Sequence, residues 1–514
     1  MATWSSIAPE IRLMVLDALV SDGCRLAHLV TVSREWQSVI EPHIFSRITL
    51  TVSRLADLNQ ITHRNRHLVK SLYLAIELET YNCMKCKGKT DELLGLSYKD
   101  NRLITTCIEN LFSSLSTWEQ GTSNIMLDIS IYSPSDSEHW FKYLTFEPDV
   151  SIQNFDQYLK EKKRALHESS DRQHGWNTAC QESLPDLYAI ETVFEEIMGE
   201  GPFDSEEEEF EWWSKLPFIP AVTGIRLRQQ TRRRWKPAAL ERLFSRFPRL
   251  EEIHHEPWRE WHRAIERFTD SAYERMIKSL PSVKRLVLFE NFNQEYPARI
   301  YYAEDLRIPS SAVGRAIGLA SLKLDILSAS FILDAAHFFT ITTGHTNWPF
   351  LTSLSLTSNL LLPDASTTEL SSMLELAASA AKRMPKLQVM EIWNGRKGVA
   401  AVFRYQRDHG ITWRATWDME FESKVEKSWK SVWQMRCSSS EWTITKEVIG
   451  CGEDILSHGD AIVQLQLITE VLRPISLQQI QIEHKMRTAS DALIQLKPNG
   501  FLDSLAEAGR RQTR

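Results

Sequence analysis

No stretch of this 514-residue chain approaches the ~18 consecutive apolar residues that span a bilayer. No basic start followed by an apolar stretch opens it, so no secretory leader is expected. No Asn-x-Ser/Thr sequon occurs, and Gly509–Arg514 carries no prenylation box. Seven cysteines, an odd number at irregular spacing, do not form the framework of a disulfide-stapled secreted domain. The expectation is the cytosol or the nucleus. The formal net charge of −7 argues against a general nucleic-acid binder. Catalytic signatures are missing too. There is no phosphate-binding loop, nucleophile elbow or kinase motif. Gly450-Cys451-Gly452 lacks the third glycine of a dinucleotide fingerprint. In His254-His255-Glu256-Pro257, the proline breaks the helix that a zinc-protease motif requires.

What is present is a soluble-protein composition, 43% hydrophobic and 25% charged, in a chain too long for one compact core. The most informative part is the first 45 residues. Trp4-Ser5-Ser6-Ile7-Ala8-Pro9-Glu10-Ile11-Arg12 leads into an apolar helix ending near Val20. Pro9 suits a first helical turn, with Glu10 at the positive end of the dipole. Ile11, Val15, Ala18 and Leu19 line one face of this helix; Leu13, Leu16 and Val20 line another. An ordinary surface helix has one apolar face. Two such faces imply cover from two sides, by this chain or by a partner. Ser33 is a predicted N-cap for a helix bearing Trp36, Val39 and Ile40, which Pro42 should stop.

This segment resembles an F-box: a Pro-Glu-Ile helix start, an apolar first helix, Val32-Ser33-Arg34-Glu35-Trp36, then Pro42-His43-Ile44-Phe45. The resemblance implies docking on the Skp-type adaptor of a cullin-RING ubiquitin ligase through Pro9, Ile11, Leu13, Leu16, Val32, Trp36 and Ile40. The family usually places Leu before the proline; here Ala8 stands there, with Ile7 one position earlier.

Beyond residue 47, a Pro-marked turn followed by alternating apolar residues recurs. Examples are Phe247–Ile253, Leu280–Leu288, Trp348–Leu356 and Met384–Ile392, with weaker copies at Ile125–Ile131 and Ile219–Leu227. Amphipathic stretches such as Leu240–Phe247, Ala272–Leu280 and Leu370–Met384 precede them. Helix, turn and short strand form the unit of a leucine-rich repeat, but the spacing is irregular. The expected fold is therefore α/β. A three-helix F-box-like module (1–47) is followed by an irregular leucine-rich-repeat-like horseshoe (48–395), similar to the bodies of many fungal F-box proteins. The pattern fails over about 134–218, read as an insertion with helices at Phe155–Leu166 and Leu184–Met198 and mobile loops between. Residues 396–514 read as a hairpin around Asp408-His409-Gly410, a helix at Ser423–Met435, a strand at Glu441–Ile449 and helices closing the open end.

Two clusters compete for chemistry. Cys83-Met84-Lys85-Cys86 offers two zinc-type thiolates, with His63 and His67 as upstream partners. A helix end at Asn65 and a strand opening at His67 would split that histidine pair, so no metal or cofactor is expected. Arg226-x-Arg228 and Arg232-Arg233-Arg234-Trp235-Lys236 read as a solvated loop paired with the acidic run Asp204–Glu209, against phosphate binding or nuclear import. The expected function is a non-enzymatic substrate adaptor of a Skp-cullin-F-box ligase, with an unidentified protein substrate held on the horseshoe. A repeat scaffold outside any ligase is one alternative. A metal-binding or enzymatic protein using the Cys83/Cys86 loop is the other.

Overall fold

A computed structural model describes residues 4–21, 26–88, 95–118, 124–167, 171–199, 201–300, 307–340, 346–436, 441–450 and 452–487. It is a mixed α/β structure built on one sheet of twelve strands whose spatial order is their sequence order. The strands are β1 Arg47–Thr51, β2 Ser71–Glu77, β3 Ile125–Tyr132, β4 Val222–Leu227, β5 Glu252–His255, β6 Arg285–Phe289, β7 Ile326–Ser330, β8 Ser353–Thr357, β9 Val389–Arg396, β10 Val399–Gln406, β11 Gly410–Ala415 and β12 Ile444–Val448. Pairing is parallel from β1 to β9, antiparallel through β9–β10–β11, and parallel again at β12.

Right-handed crossovers between parallel strands that always step in one direction put the connecting helices on the same face, apart from the insertion helices Phe155–His167 and Leu187–Val193, which pack in a second core. Alternation along the strands fits that arrangement. Leu72, Leu127, Ile225, Ile253, Leu286, Leu327, Leu354 and Met390 stand in one cross-strand row. All are buried in the large core shared with helices such as Tyr98–Ser116, Pro237–Ser245 and Thr367–Ala381. The adjacent register on the opposite face is polar apart from Val287: Asp128, Arg226, His254, Val287, Ser328, Ser355, Glu391 and Arg404.

The strand Ile326–Ser330 was not anticipated. No proline-marked turn announces it, and serines occupy its polar face. It falls between the Leu280–Leu288 and Trp348–Leu356 copies and accounts for their long separation. The expected hairpin is present and extends the same sheet, so residues 396–448 continue the body rather than follow it.

Two further expectations need correction. The C-terminal segment does not close the end of the sheet; it lies across the polar face. The helix His458–Leu465 packs on β9 and β10. Glu391 accepts hydrogen bonds from the backbone N–H groups of Ile468 (3.0 Å) and Thr469 (2.9 Å). The backbone N–H of Arg473 donates to Glu256 at 2.9 Å. A buried polar row needs partners, and this segment supplies them. The insertion is not dominated by loose loops either. Trp140, Phe141, Tyr143, Trp176, Val193 and Phe194 form a second core with Trp258, Tyr296 and Ile482. Its first helix, Phe155–His167, is as expected; the second shrinks to Leu187–Val193.

Candidate docking face and a thiol–imidazole cluster

The N-terminal unit contains helix α1, Pro9–Ser21, a 3-10 turn at Leu26–Thr31, and helix α2, Arg34–Ser46. Ser33 caps α2 by accepting from the Trp36 N–H at 3.3 Å. Pro42 does not stop α2, which runs on to Ser46 and feeds directly into β1. α1 packs against α2 with an Arg12–Glu35 ion pair at 3.2 Å, and Trp4, ahead of α1, donates its Nε1–H to Glu35 at 2.9 Å.

Of the thirteen residues of α1, only Leu16 is buried. Ile11 is 49% exposed, Leu13 46%, Met14 65% and, ahead of α2, Val32 58%. Isolated helices this short are marginal in water, and tertiary packing of an apolar face normally stabilises them. Here most of the apolar surface is turned outward. Among the residues expected to dock, Pro9, Ile11, Leu13 and Val32 are exposed and Trp36 is half-buried. Leu16 and Ile40 are not presented: both are fully buried.

The basic cluster is not a solvated loop. Arg228 pairs with Asp128 at 2.9 Å and Arg232 with Glu483 at 2.5 Å, while Arg233 pairs with Asp136. All three arginines are buried. Arg232 also lies 4.0 Å from the Trp258 ring centre, a cation–π contact. Desolvation opposes these charges, but the facing carboxylates hold Arg228, Arg232 and Arg233 above the usual arginine range. The expected pairing with the acidic run exists at its edge, where Lys236 meets Glu209 at 3.0 Å.

The second cluster lies where two parallel strands end side by side. Cys83 and Cys86 follow β2, and His139 follows β3. His174 comes from a short turn in the insertion that ends at Gly175 in the left-handed conformation. One ligand atom from each of these four residues lies within 4.8 Å of all the others. Cys83 Sγ is 3.5 Å from His139 Nδ1, and Cys86 Sγ is 3.7 Å from His174 Nε2. The outer ring nitrogens have acceptors: His139 Nε2 faces the Tyr81 carbonyl at 3.4 Å, and His174 Nδ1 faces Asp171 at 2.8 Å. Lys142 steadies Asp171 from 2.9 Å. Burial, with Cys83 adjacent, pushes the Cys86 thiol up to about 11, and burial lowers His139.

His63 and His67 are not part of this cluster. Both are exposed and precede β2, whereas the cysteines follow it. Seven strand residues at ~3.3 Å each put the two groups at opposite ends of β2. The missed signal was topological. In a parallel sheet, the loops after neighbouring strands lie together, so a histidine after β3 is a better partner than one before β2.

Among the described residues, no helix is long and apolar enough to cross a membrane. Residues 279–473 match the model of a family of unknown function (DUF6546). The matched stretch takes in β6 to β12 together with the helix His458–Leu465 laid over them. No curated protein matches the chain.

Proposed function

We propose that this protein is a non-enzymatic adaptor that docks through its N-terminal unit on a Skp-type protein and through it on a cullin. The observation that carries the reading is the outward apolar surface made by Ile11, Leu13 and Met14, on a helix with one buried residue, and by Val32 ahead of α2. Such a surface is the usual mark of a protein-interaction site. Its residues overlap those that the F-box resemblance assigns to docking. The body is then a degenerate horseshoe that holds a protein substrate. The mechanism is proximity: a bound substrate lysine experiences a high effective concentration of activated ubiquitin, with no bond-making in this chain. The reading places the protein in the cytosol or nucleus.

The C-terminal segment covers much of the polar sheet face, which narrows where substrate can sit. The uncovered end is a cleft of about 470 Å³ beside α2, lined by Thr49, Tyr73, Asp128, Asp149, Arg226 and Arg473. Arg226 and Arg473 both pair with Asp149, at 2.7 and 2.8 Å, so the cleft offers polar contacts without a strong charge of one sign. Substrate recognition is assigned to this cleft.

The test is co-purification with a Skp-type adaptor. Ile11→Asp with Leu13→Asp changes exposed side chains, so the fold should hold while adaptor binding is lost. Unchanged co-purification removes the ligase reading.

A further inference from the structure

We propose that Cys83, Cys86, His139 and His174 bind one zinc ion, and that this ion fastens the insertion to the sheet.

The donor set comes first. Two thiolates and two imidazoles form one of the standard ligand sets of structural zinc. Bond lengths of ~2.3 Å to sulfur and ~2.0 Å to nitrogen place neighbouring ligand atoms of a tetrahedron roughly 3.3–3.8 Å apart. The two sulfur–nitrogen separations, 3.5 and 3.7 Å, already fall in that range. The remaining separations are no greater than 4.8 Å, so closing the tetrahedron asks for side-chain shifts of about 1 Å.

The surroundings give independent support. Metal-bound histidines nearly always donate their outer N–H to a carboxylate or a backbone carbonyl. Both forms occur here: Asp171 for His174 and the Tyr81 carbonyl for His139. These contacts direct Nε2 of His174 and Nδ1 of His139 towards the thiols. The turn carrying Cys86 closes through the Gly88 N–H bond to the Lys85 carbonyl at 3.0 Å, with Gly88 left-handed at φ +60°. Tyr81 donates from its hydroxyl to Asp136 at 3.1 Å, tying this turn to the segment that carries His139. The loops are therefore held in place by contacts other than the cluster.

The role follows from the ligand count. Four protein ligands leave no open position for water or substrate, so the site is structural. Two thiolates balance the dication, which limits the cost of burying it. The ligands come from three segments, and Cys86 and His174 are 88 residues apart in the chain. Beside the cluster, the Trp176 indole N–H donates to the Trp140 carbonyl at 3.0 Å, at the start of the second core. The ion thus joins the ends of β2 and β3 to the insertion that the C-terminal helix Pro474–Lys485 packs against.

The test uses the full chain, purified without chelator and analysed for metal by mass spectrometry. One zinc per chain is expected, and the mercurial release of that zinc should be seen with a colorimetric indicator. Replacement with cobalt should give the thiolate charge-transfer and tetrahedral ligand-field bands of an S2N2 site. Cys86→Ser and His174→Ala should each abolish stoichiometric zinc, whereas His63→Ala and Cys180→Ser should leave it intact. Should Cys86→Ser fail to fold, the wild-type metal content and cobalt spectrum still decide. Wild-type protein without stoichiometric zinc after zinc-supplemented expression overturns the proposal. A Cys83–Cys86 disulfide in the native protein, or zinc retained in both ligand variants, does the same.

Discussion

Replacing Arg232 with Gln should cost about 3 kcal/mol of stability, and the structure shows why. The guanidinium is 1% exposed, lies 2.5 Å from a Glu483 oxygen and stacks 4.0 Å from the Trp258 ring centre. Removing one partner of a buried ion pair typically costs about 3–5 kcal/mol, because the other charge is left in a dry site. Glu483 is not abandoned altogether. It still accepts from Asn293 at 2.6 Å, Tyr296 at 3.1 Å and Arg487 at 3.3 Å, which places the cost at the low end. Arg232→Lys keeps the charge but loses the planar stack and should cost less. Urea unfolding followed by circular dichroism gives the stability difference. Hydrogen exchange over Pro474–Lys485 should rise first, since this helix carries Glu483. The pH dependence offers a second readout. Burial would raise the Glu483 carboxyl, but Arg232 and then Arg487 pull it down from 4.5 to about 2. Its stabilising contribution is thus full above pH 4.5 and lost as the pH falls towards 2. Arg232→Gln should flatten that acid loss. A cost under about 1 kcal/mol, as for an exposed charge, refutes the reasoning.

Other expectations concern separate parts of the molecule. Burial pushes Glu290 from 4.5 up to about 7 against the pull of Arg307, so the folded state releases its proton later than the unfolded chain. Stability from this group is present below pH 4.5 and lost as the pH rises to about 7; Glu290→Gln should therefore gain on wild type across that window in thermal melts. Gly410 opens β11 at φ +82°, and a Cβ there would sit 2.3 Å from the Thr443 carbonyl oxygen. Gly410→Ala should cost roughly 1–3 kcal/mol and loosen the pairing with β12, read as faster proteolysis near residue 443. Chelating the proposed zinc should lower the melting temperature and speed exchange in residues 83–88 and 171–176.

Local signals were legible where short-range chemistry decides the outcome. The Ser33 cap, the strands after Pro-marked turns and the Asp408-His409-Gly410 hairpin all read correctly. Pro42 misled because one lost N–H and a local clash do not end a helix whose neighbours Ile40 and Ile48 are buried. The arginine run misled because its partners, Asp128, Asp136 and Glu483, lie about a hundred or more residues away and charge alone does not reveal burial. The C-terminal cover was invisible for the same reason: its contacts with Glu391, Glu256 and Gln229 are made entirely through the fold. Half of the thiol–imidazole cluster was readable as Cys-x-x-Cys. The other half depends on strand adjacency, which no local pattern encodes.

The decisive measurement is hydrogen–deuterium exchange on the full chain with and without a purified Skp-type adaptor. Protection should concentrate on α1, the 3-10 turn at Leu26–Thr31 and the start of α2, and vanish in the Ile11→Asp, Leu13→Asp protein. An adaptor that leaves these amides unprotected at saturating concentration contradicts the assignment.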